Sequence, residues 1–176
     1  MPCTTQPVWV LLSLLLLFLA FPFPLPAKAT SRILYVKPTE GNTHCPSTAK
    51  PCLTLDEYAQ NTTEYFVSNT TFEFLPGTHT ITQLQLPLQF VNISNLALVS
   101  ANWSHMLIDC EGVGSRVEYL TFHMISNLTL RELNFTASLS SPGSGCGLEL
   151  ENIVNLSVSH VSVRTPMDTA FRLKNI

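Results

Sequence analysis

The segment Ile125-Ser-Asn-Leu-Thr-Leu130 is one copy of a motif that decides the fold of this chain. The motif, Ile-x-Asn-Leu-x-Leu/Val, also occupies residues 93–98 and 153–158, so its copies lie 32 and then 28 residues apart. Asn-Ile176 begins a fourth copy 23 residues further on. Repeats of this length indicate structural units that stack on one another and bury their apolar faces in the stack.

Apolar residues flank each copy at fixed offsets and alternate with other residues, which predicts strands with one buried face. The upstream pairs are Leu88/Phe90, Leu120/Phe122, Leu148/Leu150 and Phe171/Leu173, and the downstream pairs are Ala101/Trp103, Leu133/Phe135 and Val161/Val163. Each unit therefore has room for about three short strands. The asparagine of the motif suits the turn between two strands, because it tolerates the left-handed backbone that a sharp turn needs.

Two kinds of solenoid accommodate this pattern. A leucine-rich repeat follows L-x-x-L-x-L-x-x-N-x-L and needs Asn or Cys where this chain has Ala101, Leu133 and Val161. An apolar residue at that position instead continues a buried strand. We therefore predict an all-β fold, a right-handed parallel β-helix over residues 72–176, with a leucine-rich-repeat-like solenoid as the alternative.

A short capping helix is predicted ahead of the coils. Residues 54–57, Thr-Leu-Asp-Glu, form a capping box, and apolar side chains follow at helical spacing as far as Phe66. A helix over about residues 54–67 would cover the first coil, as solenoids require. At the other end the chain stops at Ile176 within a repeat, so we expect a β-helix that is truncated there and forms the N-terminal part of a longer protein.

The first 29 residues have the features of a secretory signal peptide. Residues 8–21, VWVLLSLLLLFLAF, form an apolar run that is too short to span a bilayer comfortably, and FPFPLP follows it. Small residues at Ala27 and Ala29 predict cleavage after Ala29. An uncleaved anchor is the alternative, because residues 1–7 contain no Lys or Arg. No other stretch approaches membrane-spanning length, so the rest of the chain is expected to be secreted.

Cysteines and glycosylation sequons agree with an extracellular location. Four cysteines remain beyond the signal, and the simplest of their three pairings joins Cys45 to Cys52, within residues 30–71, and Cys110 to Cys146. Seven sequons are candidate glycosylation sites: Asn61, Asn69, Asn92, Asn102, Asn127, Asn134 and Asn155. Because Asn127 and Asn155 are also motif asparagines, each would either carry a glycan or join a hydrogen-bonded ladder.

The charge of the chain excludes one class of partner. Only 12% of the 176 residues are charged, the net charge is -3, and the basic residues are scattered. The basic patch that nucleic-acid binding requires is missing, so no nucleic acid is expected as a partner. Apolar residues make up 45% of the chain, which argues against a disordered protein.

Several segments carry a resemblance to a known family. Phe74-Leu-Pro-Gly77 with Thr78-His-Thr-Ile81, then Met106-Leu-Ile-Asp-Cys-Glu-Gly112, then the Ile-x-Asn-Leu-x-Leu coils, resemble secreted right-handed β-helix proteins of the pectin-lyase-like superfamily. The opening, with Pro51-Cys-Leu-Thr-Leu-Asp-Glu-Tyr58, is similar to uncharacterised β-helix proteins of sponges and other marine invertebrates. The resemblance covers about residues 33–176 and implies fold and architecture, but it brings no residue with a known role.

In the resembled superfamily, polysaccharide-cleaving members use acids on the outward face of one strand stack, sometimes with Ca²⁺ and a basic residue. The corresponding outward positions here are Gln89/Val91, Thr121/His123, Glu149/Glu151 and Arg172/Lys174. With neighbouring strands about 4.8 Å apart, Glu149 is predicted to face Arg172 and Glu151 to face Lys174, as exposed ion pairs. A Ca²⁺ site formed by Asp109, Glu111 and Glu149 is a second hypothesis for the acids.

These observations predict a secreted, glycosylated, non-catalytic module for extracellular recognition, adhesion or display, with an extracellular protein or carbohydrate as its partner. No catalytic residue, metal ligand or cofactor is assigned. Asp109, Glu111, Glu149 and Glu151 are retained as an acidic cluster, and His123 and His160 are expected to be surface histidines. The alternative is a polysaccharide lyase or glycoside hydrolase of the resembled superfamily whose active coils lie beyond residue 176.

Overall fold

The computed structural model describes most of the chain beyond the predicted signal peptide. Its described residues are 30–39, 45–46, 51–82, 87–101, 106–110, 117–137, 145–164 and 171–176. At residues 106, 110, 117–119, 137, 145 and 146 only the backbone is described. Residues 1–29, with the predicted cleavage site, lie outside the described residues, and Ser31–Ile176 form one compact unit.

The described residues form twelve strands and two short helices. In chain order these are β1 (Arg32–Val36), β2 (Cys52–Leu53), α1 (Leu55–Ala59), α2 (Thr62–Tyr65), β3 (Thr70–Phe74), β4 (Gly77–Ile81), β5 (Gln89–Val91), β6 (Ser94–Ser100), β7 (Met106–Cys110), β8 (Val117–His123), β9 (Ser126–Ala137), β10 (Gly145–Glu151), β11 (Val154–Arg164) and β12 (Phe171–Lys174).

The strands form two sheets in which every pairing between described strands is parallel. The large sheet has the order β2-β1-β3-β6-β9-β7-β4, and β11 also pairs with β9. The small sheet has the order β12-β10-β8-β5. The prediction of an all-β chain with parallel strands is therefore confirmed.

The register places equivalent residues of the repeat side by side. In the large sheet, Leu98 pairs with Leu130, and Leu130 pairs with Val158. In the small sheet, Phe122 pairs with both Phe90 and Leu150. The motif copies are thus neighbours in one sheet, and the alternating pairs that precede them are neighbours in the other.

The inward side chains of these strands form continuous apolar rows. The rings of Phe66, Phe90 and Phe122 stack in turn, with centroid distances of 4.3 and 4.9 Å. Phe90, Phe122 and Leu150 are fully buried, and burying a side chain of this size stabilises the fold by about 1.5–3 kcal/mol. Each row therefore joins successive repeats through the core.

The cap contains two short helices instead of the single predicted helix over about residues 54–67. The capping box is present, because Thr54 Oγ1 accepts from the Glu57 N–H and the Glu57 carboxylate accepts from the Thr54 N–H. The first helix ends at Ala59, and Asn61, with φ -133° and ψ 66°, is the N-cap of the second. Asparagine favours helix ends over helix interiors because its side chain bonds to nearby polar groups, here the carboxylate of Glu64.

Tyr58 anchors this cap to the strands. Its hydroxyl donates to the carbonyl oxygens of Tyr35 and Pro51, each at 3.0 Å. Its ring packs edge-on against Phe72, with centroids 5.6 Å apart, and burial raises the pKa of the Tyr58 hydroxyl to about 12. The helices thereby cover the core beside β1 and β3. Within the described part of the chain, no helix has the length and apolar character that a membrane span requires.

Candidate functional site

Four asparagines form a hydrogen-bonded ladder on the surface of the large sheet. The Nδ2 atom of Asn95 donates to Oδ1 of Asn69 at 2.8 Å, Asn127 donates to Asn95 at 2.7 Å, and Asn155 donates to Asn127 at 2.8 Å. All four have left-handed backbones, with φ between 56° and 61°. The left-handed turn predicted for the motif asparagines is confirmed, and we call these four residues the first row.

Two further rows of left-handed residues lie on the molecule. Glu132 and His160 form the second row, within β9 and β11, with φ of 58° and 51°. Asn92, Met124, Asn152 and Asn175 form the third row, with φ between 52° and 57°. In the third row Asn175 Nδ2 donates to Asn152 Oδ1 at 3.0 Å, and Met124 stands between Asn92 and Asn152, where it cannot make such a bond.

The outward face of the small sheet carries the predicted charged pairs. Glu149 pairs in register with Arg172, and Glu151 pairs with Lys174, as the repeat alignment predicts. The side-chain contacts are shifted, however, because Lys174 Nζ lies 2.9 Å from Glu149 Oε1 and 3.9 Å from Glu151 Oε2. Arg172 lies 3.5 Å from the same Glu149 oxygen. Glu149 is therefore the centre of the cluster.

The hydrogen bond from Lys174 holds the pKa of the Glu149 carboxyl below its ordinary value, and Arg172 acts in the same direction. The same bond to Glu149 raises the pKa of Lys174. Both groups therefore stay charged at neutral pH. Since a general acid in glycoside hydrolysis needs a raised carboxyl pKa, Glu149 has the electrostatics of an ion-pair partner.

Two histidines contact carboxylates across neighbouring strands. His123 Nδ1 lies 3.3 Å from Glu151 Oε2, and His160 Nδ1 lies 2.8 Å from Glu132 Oε1. The apolar alternation does not reveal the second pair, because Glu is not typical of a left-handed turn. A comparison of residues five positions after Asn127 and Asn155 would have found it.

The candidate acidic cluster is divided between the two sheets. Asp109 lies in the large sheet, paired with Thr80 and Thr136, whereas Glu149 and Glu151 lie in the small sheet. Glu111 lies outside the described residues. Among the residues that the structure describes, no group of three or more His, Cys, Asp or Glu side chains is placed to hold a metal ion.

The sequons occupy different surroundings. Asn92, Asn127 and Asn155 are exposed, as is Asn61, whose amide bonds to Glu64, while Asn69 and Asn134 are half-buried. Asn102 lies outside the described residues. The ladder therefore contains three sequon asparagines, at positions 69, 127 and 155, and their amide groups are already hydrogen-bonded.

Cys45 and Cys52 lie at disulfide-bonding distance, with their Cα atoms 6.3 Å apart. This bond closes the short loop ahead of the cap, in agreement with the simplest pairing. Cys110 ends β7 in the large sheet, and Cys146 lies in β10 of the small sheet. Their side chains lie outside the described part of the structure, so their pairing stays a prediction.

Two surface cavities accompany these features. One, of about 480 Å³, lies between the cap and β5 and is lined by Ala59, Thr62, Thr63, Phe66, Leu88 and Val91, among others. The other, of about 280 Å³, lies beside the ladder, with Thr71, Ala97 and Thr129 along its floor. Every described residue that lines either cavity is uncharged.

The chain matches no known protein family, no curated protein and no solved structure.

Proposed function

We propose that this protein is a secreted, glycosylated module for extracellular recognition, adhesion or display, built as a right-handed parallel β-helix. The architecture is supported by the register, in which equivalent residues 26 to 32 positions apart pair in parallel along both sheets. Right-handed crossovers are the rule for parallel strands of one sheet. Strands that follow the motif copies, such as β7 and the second half of β9, favour the β-helix over a leucine-rich-repeat-like solenoid. In the first copy this strand begins later than the repeat alignment predicts, because Ala101 is exposed beyond the end of β6 and it is Ile108 of β7 that pairs with Phe135.

The observation that carries the non-catalytic role is the state of the outward acids. Glu149 is held by Lys174 and Arg172, and Glu151 lies beside His123. A retaining or inverting glycosidase instead needs two carboxyl groups facing one sugar, one of them with a raised pKa. Ion-paired acids on a flat strand face fit a rigid display surface better than a polysaccharide-cleaving site of the pectin-lyase-like kind.

The extracellular part of the proposal rests on sequence features, namely the signal peptide and sequons, together with the Cys45–Cys52 bond. Glycans on exposed sequons would supply polar surface to a chain in which only 12% of residues are charged. Expression of the full chain in secreting eukaryotic cells tests this directly. We expect product in the medium that begins at Thr30 and loses mass on treatment with peptide N-glycosidase F.

The catalytic alternative has its own test. The secreted chain is incubated with polyuronic acids in the presence of Ca²⁺, and product formation is followed by ultraviolet absorbance and reducing-end assays. We expect no cleavage. Ca²⁺-dependent cleavage that Glu149→Gln or Asp109→Asn abolishes, in a protein that stays folded, would overturn the display proposal in favour of an enzyme.

A further inference from the structure

We propose that Met124 is a site of oxidation by hydrogen peroxide, and that its sulfoxide completes the hydrogen bonding of the third row. Among the described residues, Met124 is the one member of that row that is not an asparagine. This modification requires neither the display role nor any partner of the chain. It therefore stands or fails independently of the function proposed above.

Backbone hydrogen bonds place Met124 directly beside Asn152. The Met124 N–H donates to the carbonyl oxygen of Glu151 at 3.0 Å, and Asn152 is the next residue. The first row is built in the same way, because the Asn69 N–H donates at 2.8 Å to the carbonyl oxygen of the residue that precedes Asn95. The side chains of Met124 and Asn152 are therefore neighbours, as those of Asn69 and Asn95 are.

The amide bonds of the first and third rows run in one direction. In each described bond the later asparagine donates through Nδ2 and the earlier one accepts through Oδ1, as between Asn175 and Asn152. With Oδ1 used in this way, Asn152 has its Nδ2 left for the side of Met124. Within the described residues this Nδ2 donates to no partner. Since a thioether sulfur is only a weak acceptor, the row lacks a bond at Met124.

Oxidation of the sulfur supplies the missing acceptor. A lone pair of the Met124 sulfur attacks one oxygen of hydrogen peroxide, so that an S–O bond forms and the O–O bond breaks. The sulfur loses two electrons to the peroxide, and the proton on the transferred oxygen passes to the released hydroxide, which leaves as water. The sulfoxide oxygen is a polar acceptor, and the unbranched side chain has the rotatable bonds to turn it towards Asn152 Nδ2.

The position of Met124 on the surface makes it both reachable and tolerant of the change. Its side chain is 43% exposed and is not part of the buried core. Methionine oxidation commonly disrupts a protein because it places a polar group in an apolar core. At Met124 the added oxygen instead meets a row of amide side chains, so the modification adds a hydrogen bond without removing a core contact.

Peroxide treatment of the full chain tests the proposal in a Met106→Leu/Met167→Leu background, where Met124 is the only methionine after residue 29. Peptide mass spectrometry follows the addition of one oxygen atom to Met124, and we expect a rate within about tenfold of that of N-acetylmethionine. Urea unfolding then compares the oxidised with the untreated protein. We expect oxidation to lower the equilibrium constant of unfolding about fivefold, as one hydrogen bond of ordinary net strength implies.

Two variants in the same background locate the effect, and circular dichroism checks that each is folded. Asn152→Asp keeps an acceptor for Asn175 and tolerates a positive φ, but it has no Nδ2 donor, so oxidation should not stabilise it. Met124→Leu has no thioether, and peroxide should leave its stability unchanged.

Three results would overturn the proposal. The first is an oxidised Met124 that leaves the stability unchanged or lowers it. The second is an equal gain on peroxide treatment in either Asn152→Asp or Met124→Leu. The third is a Met124 that stays unmodified in the folded chain while N-acetylmethionine in the same solution is oxidised.

Discussion

The side chain of Asn127 donates a hydrogen bond of 2.7 Å to the side chain of Asn95, although the two residues lie 32 positions apart in the sequence. Both have left-handed backbones, with φ of 60° and 56°. Asparagine adopts this conformation at low cost and also carries both a donor and an acceptor. One residue type therefore makes the turn and links each turn to the next.

Asn95 allows the turn and the ladder to be separated by mutation. Asn95→Ala removes both ladder bonds and places an ordinary side chain at positive φ, so we expect it to lower the free energy of unfolding by about 2 kcal/mol. Asn95→Gly removes the same bonds but tolerates positive φ, and it should cost about 1 kcal/mol less than Ala. Urea unfolding followed by circular dichroism measures both values.

Glycosylation does not affect this comparison, because Asn95 is followed by Leu-Ala and is not a sequon. Ser159→Ala, at an exposed position of β11 outside the ladder and outside every sequon, is the matched control and should change stability by less than about 0.5 kcal/mol. Equal losses for the Ala and Gly variants would contradict a contribution of the left-handed turn.

Met124 is the residue whose replacement should stabilise the protein. It occupies the third row with φ 54° between two asparagines, so Asn at this position would relieve backbone strain and bond to its neighbours. We expect a gain of about 1 kcal/mol in the free energy of unfolding. Because Met124→Asn alone would create an Asn-Ile-Ser sequon, the measurement compares Met124→Asn/Ser126→Ala with Ser126→Ala. A double variant no more stable than the single one would be evidence against strain at this position.

Glycan occupancy should follow the hydrogen bonding of the asparagine amides. Asn92 is exposed and its amide makes no ladder bond in the described structure, whereas Asn127 and Asn155 are bonded neighbours on adjacent strands. Strands in a sheet are about 4.8 Å apart, too close for two sugars side by side. We expect Asn92 to be occupied and Asn127 and Asn155 never to be occupied in one molecule.

Glycopeptide mapping of the chain expressed in eukaryotic cells measures this occupancy. Digestion with peptide N-glycosidase F in ¹⁸O water marks each asparagine that carried a glycan. Intact glycopeptides that span residues 127–155 then show whether both sites were occupied together. Double occupancy in a folded molecule would exclude the ladder between these two residues.

His79 should make the fold sensitive to acid. It is buried, its Nε2 lies 2.7 Å from the Leu75 carbonyl oxygen, and burial lowers the pKa of its imidazole below the ordinary 6.5. The unfolded chain therefore binds a proton at a higher pH than the folded chain does. As far as His79 is concerned, the free energy of unfolding should be highest above about pH 6.5 and should fall as the pH drops below that value.

Chemical unfolding of the chain is measured at a series of pH values between about 7.5 and 5, a range that lies on both sides of the unperturbed histidine pKa. His79→Leu replaces the imidazole with an apolar side chain. Its stability at neutral pH falls because the Leu75 carbonyl loses a partner, but its decline below pH 6.5 should be shallower. An unchanged decline in His79→Leu would assign the acid sensitivity to other groups.

The repeat made much of this fold predictable from the sequence. Alternation assigned the inward positions of Phe90 and Phe122 correctly, and aligned copies gave the register of Glu149 with Arg172. These features depend on backbone geometry, which a period of two and a fixed repeat reveal directly. Side-chain contacts could not be predicted in the same way, because the long side chain of Lys174 contacts Glu149 diagonally and not only Glu151, its partner in the register.

Other features had no sequence signal strong enough to find them. Asn69 begins the ladder, but Thr70 follows it where the later copies have Leu, so the motif search passes over it. The break between the two cap helices depends on how Asn61 bonds locally, which competes with helix spacing that runs on to Phe66. Met124 and Glu132 adopt a conformation that their residue types disfavour, and only their neighbours in space impose it.

The spacing of the left-handed residues determines where this protein can change length during evolution. Residues of the third row precede those of the first by three positions at Asn92/Asn95, Met124/Asn127 and Asn152/Asn155, and the second row follows the first by five positions at Asn127/Glu132 and Asn155/His160. Between the second row and the next third-row residue the distance differs, with 20 positions after Glu132 and 15 after His160. Insertions and grafted sequences should therefore be tolerated in that stretch, whereas one added residue between Met124 and Asn127 would turn the following side chains to the wrong face.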